Sequence, residues 1–245
     1  MTPQTLAGLA VIALIAFTTE GAIGFGGTVI AASVGAQLLP LEQLLPAFVP
    51  LNLVLSGWLL LRGRDAVAWR LLLVEIGPPV AVGAAAGLAL FHLPAKGLLA
   101  LVFGVFVAGL ATLQLVRPAE QPLARAWRLG LIALGGVAHG LFGTGGPMIV
   151  YVTRRRLPDK RAFRSTLAVL WLTLNIALLA NFASAGLYHR ATLDTGLVLA
   201  LTIVPGLWLG ERLHHALDAA RFERAVWMLL LGAGAALAVR SALAL

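Results

Sequence analysis

No cysteine occurs among the 245 residues, which removes disulfides, thiolate metal sites and a cysteine nucleophile together. Charge is scarce as well. Only 11% of residues are charged and 60% are hydrophobic, whereas a soluble domain carries roughly a quarter charged residues. The five histidines are scattered, with only His214 and His215 adjoining, so no metal-ligand spacing arises and no metal is expected. Catalytic signatures are missing too: there is no Gly-x-Ser-x-Gly, no His-Glu-x-x-His and no phosphate loop. An enzyme is therefore not expected, and no cofactor is assigned. Residues 1–4 hold no Lys or Arg, so the first apolar segment is expected to belong to the mature protein rather than to a signal peptide.

What the chain has is apolar length. Hydrophobic segments of about twenty residues recur at 44–61, 71–91, 97–116, 163–184, 193–211 and 222–243, each long enough for a bilayer core of roughly 30 Å. The net charge of +8 would suit nucleic acid, but the basic residues fall between the apolar segments, where orientation signals belong. Nucleic acid is set aside, and the lipid bilayer is the expected surrounding. Trp58, Trp69, Trp127, Trp208 and Trp227 fall mostly near span ends, as interfacial belts do.

Two further stretches are broken by glycine. The first runs from Leu6 to Thr19, meets Glu20, passes Gly21, Gly24, Gly26 and Gly27, and resumes from Thr28 to Leu39. The second runs from Leu129 to Ala138, meets His139, passes Gly140, Gly143, Gly145 and Gly146 to Pro147, and reaches Thr153. At 1.5 Å per residue the resumed arms cover roughly 18 Å and roughly 12 Å, short of the bilayer core. Each stretch reads as a re-entrant hairpin whose glycine apex must face protein or water.

The two runs share the pattern Gly-x-x-Gly-x-Gly-Gly at a spacing of 119 residues. Asn52 and Asn175 follow at corresponding places in the next spans, and Pro78 with Gly83 matches Pro205 with Gly210. The chain is expected to be a duplication, residues 1–120 and 121–245, forming one membrane domain. Suppose the basic segments 62–70, 117–128, 153–164 and 212–224 all face the cytoplasm. Then 15 of the 18 Lys and Arg residues lie inside, and only Lys96, Arg190 and Arg240 lie outside. Each hairpin must then return to its starting side, and each half must add three full spans. Three is odd, so the repeats are inverted and both termini are periplasmic. The expected fold class is an all-α membrane protein of two inverted repeats, each a glycine-broken re-entrant hairpin plus three transmembrane helices.

Inverted repeats with broken helices are the architecture of many secondary transporters, whose substrate sits where the breaks meet. The expected substrate contacts are Gly24, Phe25, Gly26, Gly27 and Thr28 at the first break, and Gly143, Thr144, Gly145, Gly146 and Pro147 at the second. Glycine leaves amide N–H groups unobstructed, and helices restarting at Thr28 and near Pro147 turn their positive N-terminal ends toward that point. A small anion suits such a place. The same glycines would also let helices pack closely. Glu20 and His139 hold equivalent places before the breaks and are the candidate coupling residues. Glu20 could take up a proton or pair with a cation; His139 could hydrogen-bond the substrate or titrate with transport. A solvated side chain in a wet vestibule is the alternative for each. Asn52 and Asn175 are either substrate contacts or partners in a helix–helix hydrogen bond. Glu211 adjoins Arg212, and a local ion pair is expected there.

With its glycine runs Gly21–Thr28 and Gly140–Pro147, the basic loop Arg62–Arg64 and the Pro/Gly pairs, the sequence resembles the TauE/SafE family, also called the toluene sulfonate uptake permease family. The resemblance covers essentially the full chain. It implies a multi-pass transporter of the bacterial inner membrane for a small sulfur-containing anion such as sulfite, a sulfonate or sulfoacetate. Rocking of the two halves would give alternating access, protons are the candidate coupling ion, and a homodimer stays open. The alternative from a second class is a passive channel for anions or small solutes. A channel keeps the apices but needs no ionisable coupling residue.

Overall fold

A computed structural model of the chain describes residues 2–91, 96–116, 124–143, 145–154, 156–157, 159–216 and 218–243. Among them every regular element is a helix, as expected of apolar segments that must satisfy their backbone groups internally in lipid. The first half comprises α1 (Pro3–Ile23), α2 (Gly27–Gly35), α3 (Leu41–Gly63), α4 (Gly77–Phe91) and α5 (Lys96–Val116), with α4 entered through a π-helical stretch, Leu71–Ile76. The second comprises α6 (Arg125–Phe142), α7 (Gly146–Arg154), α8 (Lys160–Ser184), α9 (Arg190–Ala200), α10 (Ile203–Ala216) and α11 (Ala219–Leu243). Both halves run in the same order: long arm, short arm, long central helix, interrupted helix, outer helix.

Among the described residues, α1, α3, the stretch Leu71–Leu90 and α8 are individually long and apolar enough to cross a membrane. Taken together across their 41° bend, α9 and α10 make a fifth. Shorter apolar stretches come from α5 (Gly104–Val116) and α11 (Leu230–Leu243).

The breaks lie later than the glycine runs suggest. α1 continues through Glu20 and Gly21 to Ile23, and α6 continues through His139 and Gly140 to Phe142. Gly24 (φ 82°) ends α1, Gly26 (φ 96°) precedes α2 and Gly143 (φ 66°) ends α6, in left-handed conformations that side chains disfavour. Gly21 and Gly140 instead serve packing. A Cβ on Gly140 would strike the backbone of α4, and Gly21 lies against Gly210 of α10. The arms are therefore unequal, with 21 and 18 residues in the long arms and 9 in each short arm. Both hairpins turn back on themselves: Gly135 of α6 packs on Ile149 of α7, and Gly8 near the start of α1 meets Leu38 just beyond α2.

The most extensive packing runs between the halves, α4 on α6, α5 on α11, α1 on α10 and α3 on α8. Small residues permit it. Gly83 and Gly87 of α4 face Gly136 and Gly140 of α6 so closely that a Cβ on any of them would strike the other helix's backbone. Gly206 and Gly210 of α10 meet Phe17, Thr18 and Ala22 of α1 in the same way, and Gly104 and Gly234 join α5 to α11. Lipid offers no hydrophobic drive for helix association, so close backbone approach supplies the dispersion contact instead.

Charged side chains gather at one end of the bundle. Arg161 pairs with Asp65 at 2.7 Å, Arg156 with Glu75 at 2.7 Å and Arg164 with Glu211 at 3.3 Å. Exposed pairs add little stability, but these fix the segments 62–70 and 153–164 and the end of α10 on one face. At the opposite end Arg240 donates to the Gln37 carbonyl at 2.9 Å. Two expectations are corrected. Glu211 pairs with Arg164 of α8, not with its neighbour Arg212, whose guanidinium lies 3.8 Å from the Trp208 ring centre. Trp69, Trp127 and Trp208 are exposed as a belt requires, but Trp227 is buried against Phe25 because α11 packs on the first hairpin there.

Gly87→Leu should destabilise the folded protein by roughly 3 kcal/mol or more, because the helices cannot separate without losing their contact. Gly109→Leu, with open space around it, should leave stability unchanged. Thermal unfolding in detergent distinguishes the two, and equal midpoints would contradict the packing.

Candidate functional site

Four polar side chains from separate helices meet in one buried cluster. Glu20 (α1), Asn52 (α3), His139 (α6) and Asn175 (α8) are each at most 3% exposed. Asn52 donates from Nδ2 to Glu20 Oε2 at 2.6 Å, and Asn175 donates from Nδ2 to Asn52 Oδ1 at 2.6 Å. This bridge links α1 and α3 of the first half to α8 of the second. The N–H of Gly27, the first residue of α2, also donates to the Glu20 carboxylate. His139 is held in a matching way: its Nδ1 accepts from the Gly145 N–H at 3.5 Å. A neutral ring that accepts at Nδ1 carries its proton on Nε2. That Nε2–H is turned to the side chain of Asn175, whose Oδ1 faces it as acceptor.

These side chains surround a chamber of about 20 Å³, room for about one water. Phe25, Gly26 and Thr28 line it from the first break, and Gly143 and Gly146 from the second. The first turns of α2 and α7 touch there. A Cβ on Gly143 would lie 3.4 Å from Thr28 Cγ2, and one on Gly146 would lie 3.9 Å from Val29 Cγ2. The other sequence-predicted residues stand outside the chamber. Gly24 sits at the apex against Arg164, Gly27 packs on Glu20 and Ala16, and Gly145 lies on the backbone of Gly135. Pro147 is buried in the first turn of α7. Thr144 lies outside the described residues.

Sequence reading missed Val29 and Trp171 of the chamber and Arg164 and His214 beside it. Trp171 lines the chamber, stacks on the His139 ring with centroids 6.0 Å apart, and donates Nε1–H to the Gly24 carbonyl at 3.0 Å. It precedes Asn175 by four residues, the spacing that puts both on one helix face. A tryptophan in mid-span at that spacing was the available signal. Arg164 was hidden in the count of loop charges. It donates to the Gly21 carbonyl at 3.1 Å, while His214 donates Nδ1–H to the Ala22 carbonyl at 2.7 Å. With Trp171 they cover carbonyls left open where α1 stops, the end that favours a cation. Phe25 packs on Phe163 and Trp227, with centroids 6.4 and 5.9 Å apart, and this aromatic cluster lies between the chamber and the basic end.

Residues 9–237 match the family described as sulfite exporter TauE/SafE. The chain is also similar to the probable inner membrane transporter protein TsaS of Comamonas testosteroni. The two are 30% identical over 174 residues, which is 70% of this chain and 72% of that protein. No solved structure matches the chain.

Asn52→Leu should destabilise the protein by roughly 2–4 kcal/mol, since it removes the side-chain donor of the Glu20 carboxylate and the acceptor of Asn175 Nδ2. Asn175→Leu should cost about half as much. Adding Glu20→Leu to Asn52→Leu should restore part of the loss, because the buried carboxylate is then gone. Unfolding midpoints in detergent provide the check; an Asn52→Leu protein as stable as the wild type would contradict the bridge.

Proposed function

The chain belongs to the sulfite exporter TauE/SafE family, and on that footing we propose that it is a secondary transporter of a small sulfur-containing anion, of the sulfite, sulfonate or sulfoacetate type, in the bacterial inner membrane. The observation that carries the proposal is the meeting of two helix N-terminal turns, α2 and α7, at one buried chamber. Their amide groups and helix dipoles favour an oxyanion without a buried lysine or arginine. Asn52, Asn175 and His139 line the same chamber and add polar side chains that can donate.

The chamber has room for about one water, too little for sulfite with its four heavy atoms. Loading the anion therefore requires the chamber to open, and in an alternating-access cycle the two halves rock about it. The halves act as inverted repeats in this account, residues 1–120 and 121–245. The small-residue contacts α4 on α6 and α1 on α10 are the surfaces along which they shift. The ionisable pair Glu20 and His139 favours a carrier over a passive channel, which has no need of either. An anion and an ionised carboxylate repel one another at this range, so loading the anion draws a proton onto Glu20 and couples the two ligands.

The basic end of the bundle faces the cytoplasm in this account, with both chain termini periplasmic. The cysteine-free sequence makes this simple to test. A membrane-impermeant maleimide should label Thr2→Cys in intact spheroplasts and leave Lys160→Cys unlabelled until the cells are opened. The reverse pattern would end the proposed orientation.

Glu20→Gln should keep anion exchange between the two sides of a proteoliposome but lose acceleration by a proton gradient. His139→Gln belongs in the same experiment, as the matching position in the other half. Proton-driven uptake that survives in both single variants and in the double would rule out coupling through this pair.

A further inference from the structure

A second cavity, about 310 Å³, lies at the basic end between the π-helical stretch Leu71–Ile76, the start of α6 and the end of α7. Its size falls in the range of small-molecule sites. Among the described residues, Arg125, Arg128 and Arg156 line it together with one carboxylate, Glu75, which Arg156 engages at 2.7 Å. The lining therefore carries net positive charge. Thr153 gives an independent sign of a ligand: it lines the cavity, is 1% exposed, and its hydroxyl has no hydrogen-bond partner. A helical threonine ordinarily turns that hydroxyl onto the carbonyl one turn back. The π-helical stretch contributes Leu71, Val74, Glu75 and Ile76 to the cavity wall.

The cavity also has an apolar lining. Val74 is 67% and Leu129 38% exposed, which in a membrane protein means contact with acyl chains. Charge at the bundle end and apolar surface toward the bilayer are the two halves of a phospholipid's shape. We propose that this cavity binds the phosphodiester headgroup of an anionic phospholipid, of the phosphatidylglycerol or cardiolipin class. Guanidinium forks suit phosphate oxygens, Thr153 supplies a hydroxyl donor, and Val74 and Leu129 flank the first acyl carbons. Basic pockets between transmembrane helices at the cytoplasmic surface are suited to such headgroups. This site is separate from the transport chamber and does not depend on the reading given to that chamber.

The test is native mass spectrometry of the purified chain with phosphatidylglycerol, cardiolipin and phosphatidylcholine. Wild type should retain the anionic lipids and release the zwitterionic one. Arg125→Gln with Arg128→Gln should weaken retention of the anionic lipids by about thirtyfold, the effect of two basic residues near an anionic surface. Val74→Trp, which seals the cavity mouth without removing a charge, should release them as well. Arg62→Gln with Arg64→Gln, a pair at the same end but outside the cavity, should keep them. Anionic-lipid retention undiminished in both cavity variants would overturn the proposal. So would equal retention of phosphatidylcholine, or displacement of the lipid by millimolar inorganic phosphate, which would make the cavity a site for a soluble anion.

Discussion

A helix that stops and restarts inside a bilayer leaves carbonyls at the stop and amide N–H groups at the restart, with no water to pair with them. Twice in this chain a helix stops in the protein interior, at Gly24 and at Gly143, and restarts within three residues. The groups exposed by those stops can only be answered by protein or by a ligand. On the carbonyl side of the first stop, Arg164, His214 and Trp171 answer for the protein. On the amide side, Gly27 and Gly145 are engaged by the two ionisable residues of their own hairpins, Glu20 and His139. The chamber lies where the restarts adjoin, and its chemistry follows from the donors gathered there.

The same constraint explains the distribution of small residues. The long hairpin arms pack closely on α4 and α10 through glycine, and α5 meets α11 in the same way. These glycine contacts join the halves closely, and the Glu20–Asn52–Asn175 bridge adds a polar link between them. A ligand that enters the chamber must compete for those hydrogen bonds. Binding and movement of the halves are thereby linked in this account.

Much of this was legible in the sequence, for physical reasons. The all-helical membrane class follows from apolar length and scarce charge, and the breaks are marked by glycines that recur at a fixed spacing. Nine residues named from sequence, among them Glu20, Asn52, His139 and Asn175, line the chamber, because a polar side chain in mid-span has few tolerable places to go. The exact stop was not legible. The pattern Gly-x-x-Gly-x-Gly-Gly mixes two uses of glycine, and periodicity cannot tell Gly21 and Gly140, which pack on other helices, from Gly24 and Gly143, which turn the chain. Arg164 and Trp171 escaped because their roles depend on where another helix ends, and that is a tertiary fact.

The central claim is that the chamber between the two restarts carries a small sulfur oxyanion across the membrane. Its most direct test is flux into proteoliposomes of the purified wild-type chain, offering sulfite, thiosulfate, taurine and sulfoacetate in turn, with and without a pH gradient. The account predicts saturable movement of at least one of them, driven beyond equilibrium when a proton gradient is present. Absence of flux for all four, or unsaturable flux that stops at equilibrium whatever the gradient, would contradict it.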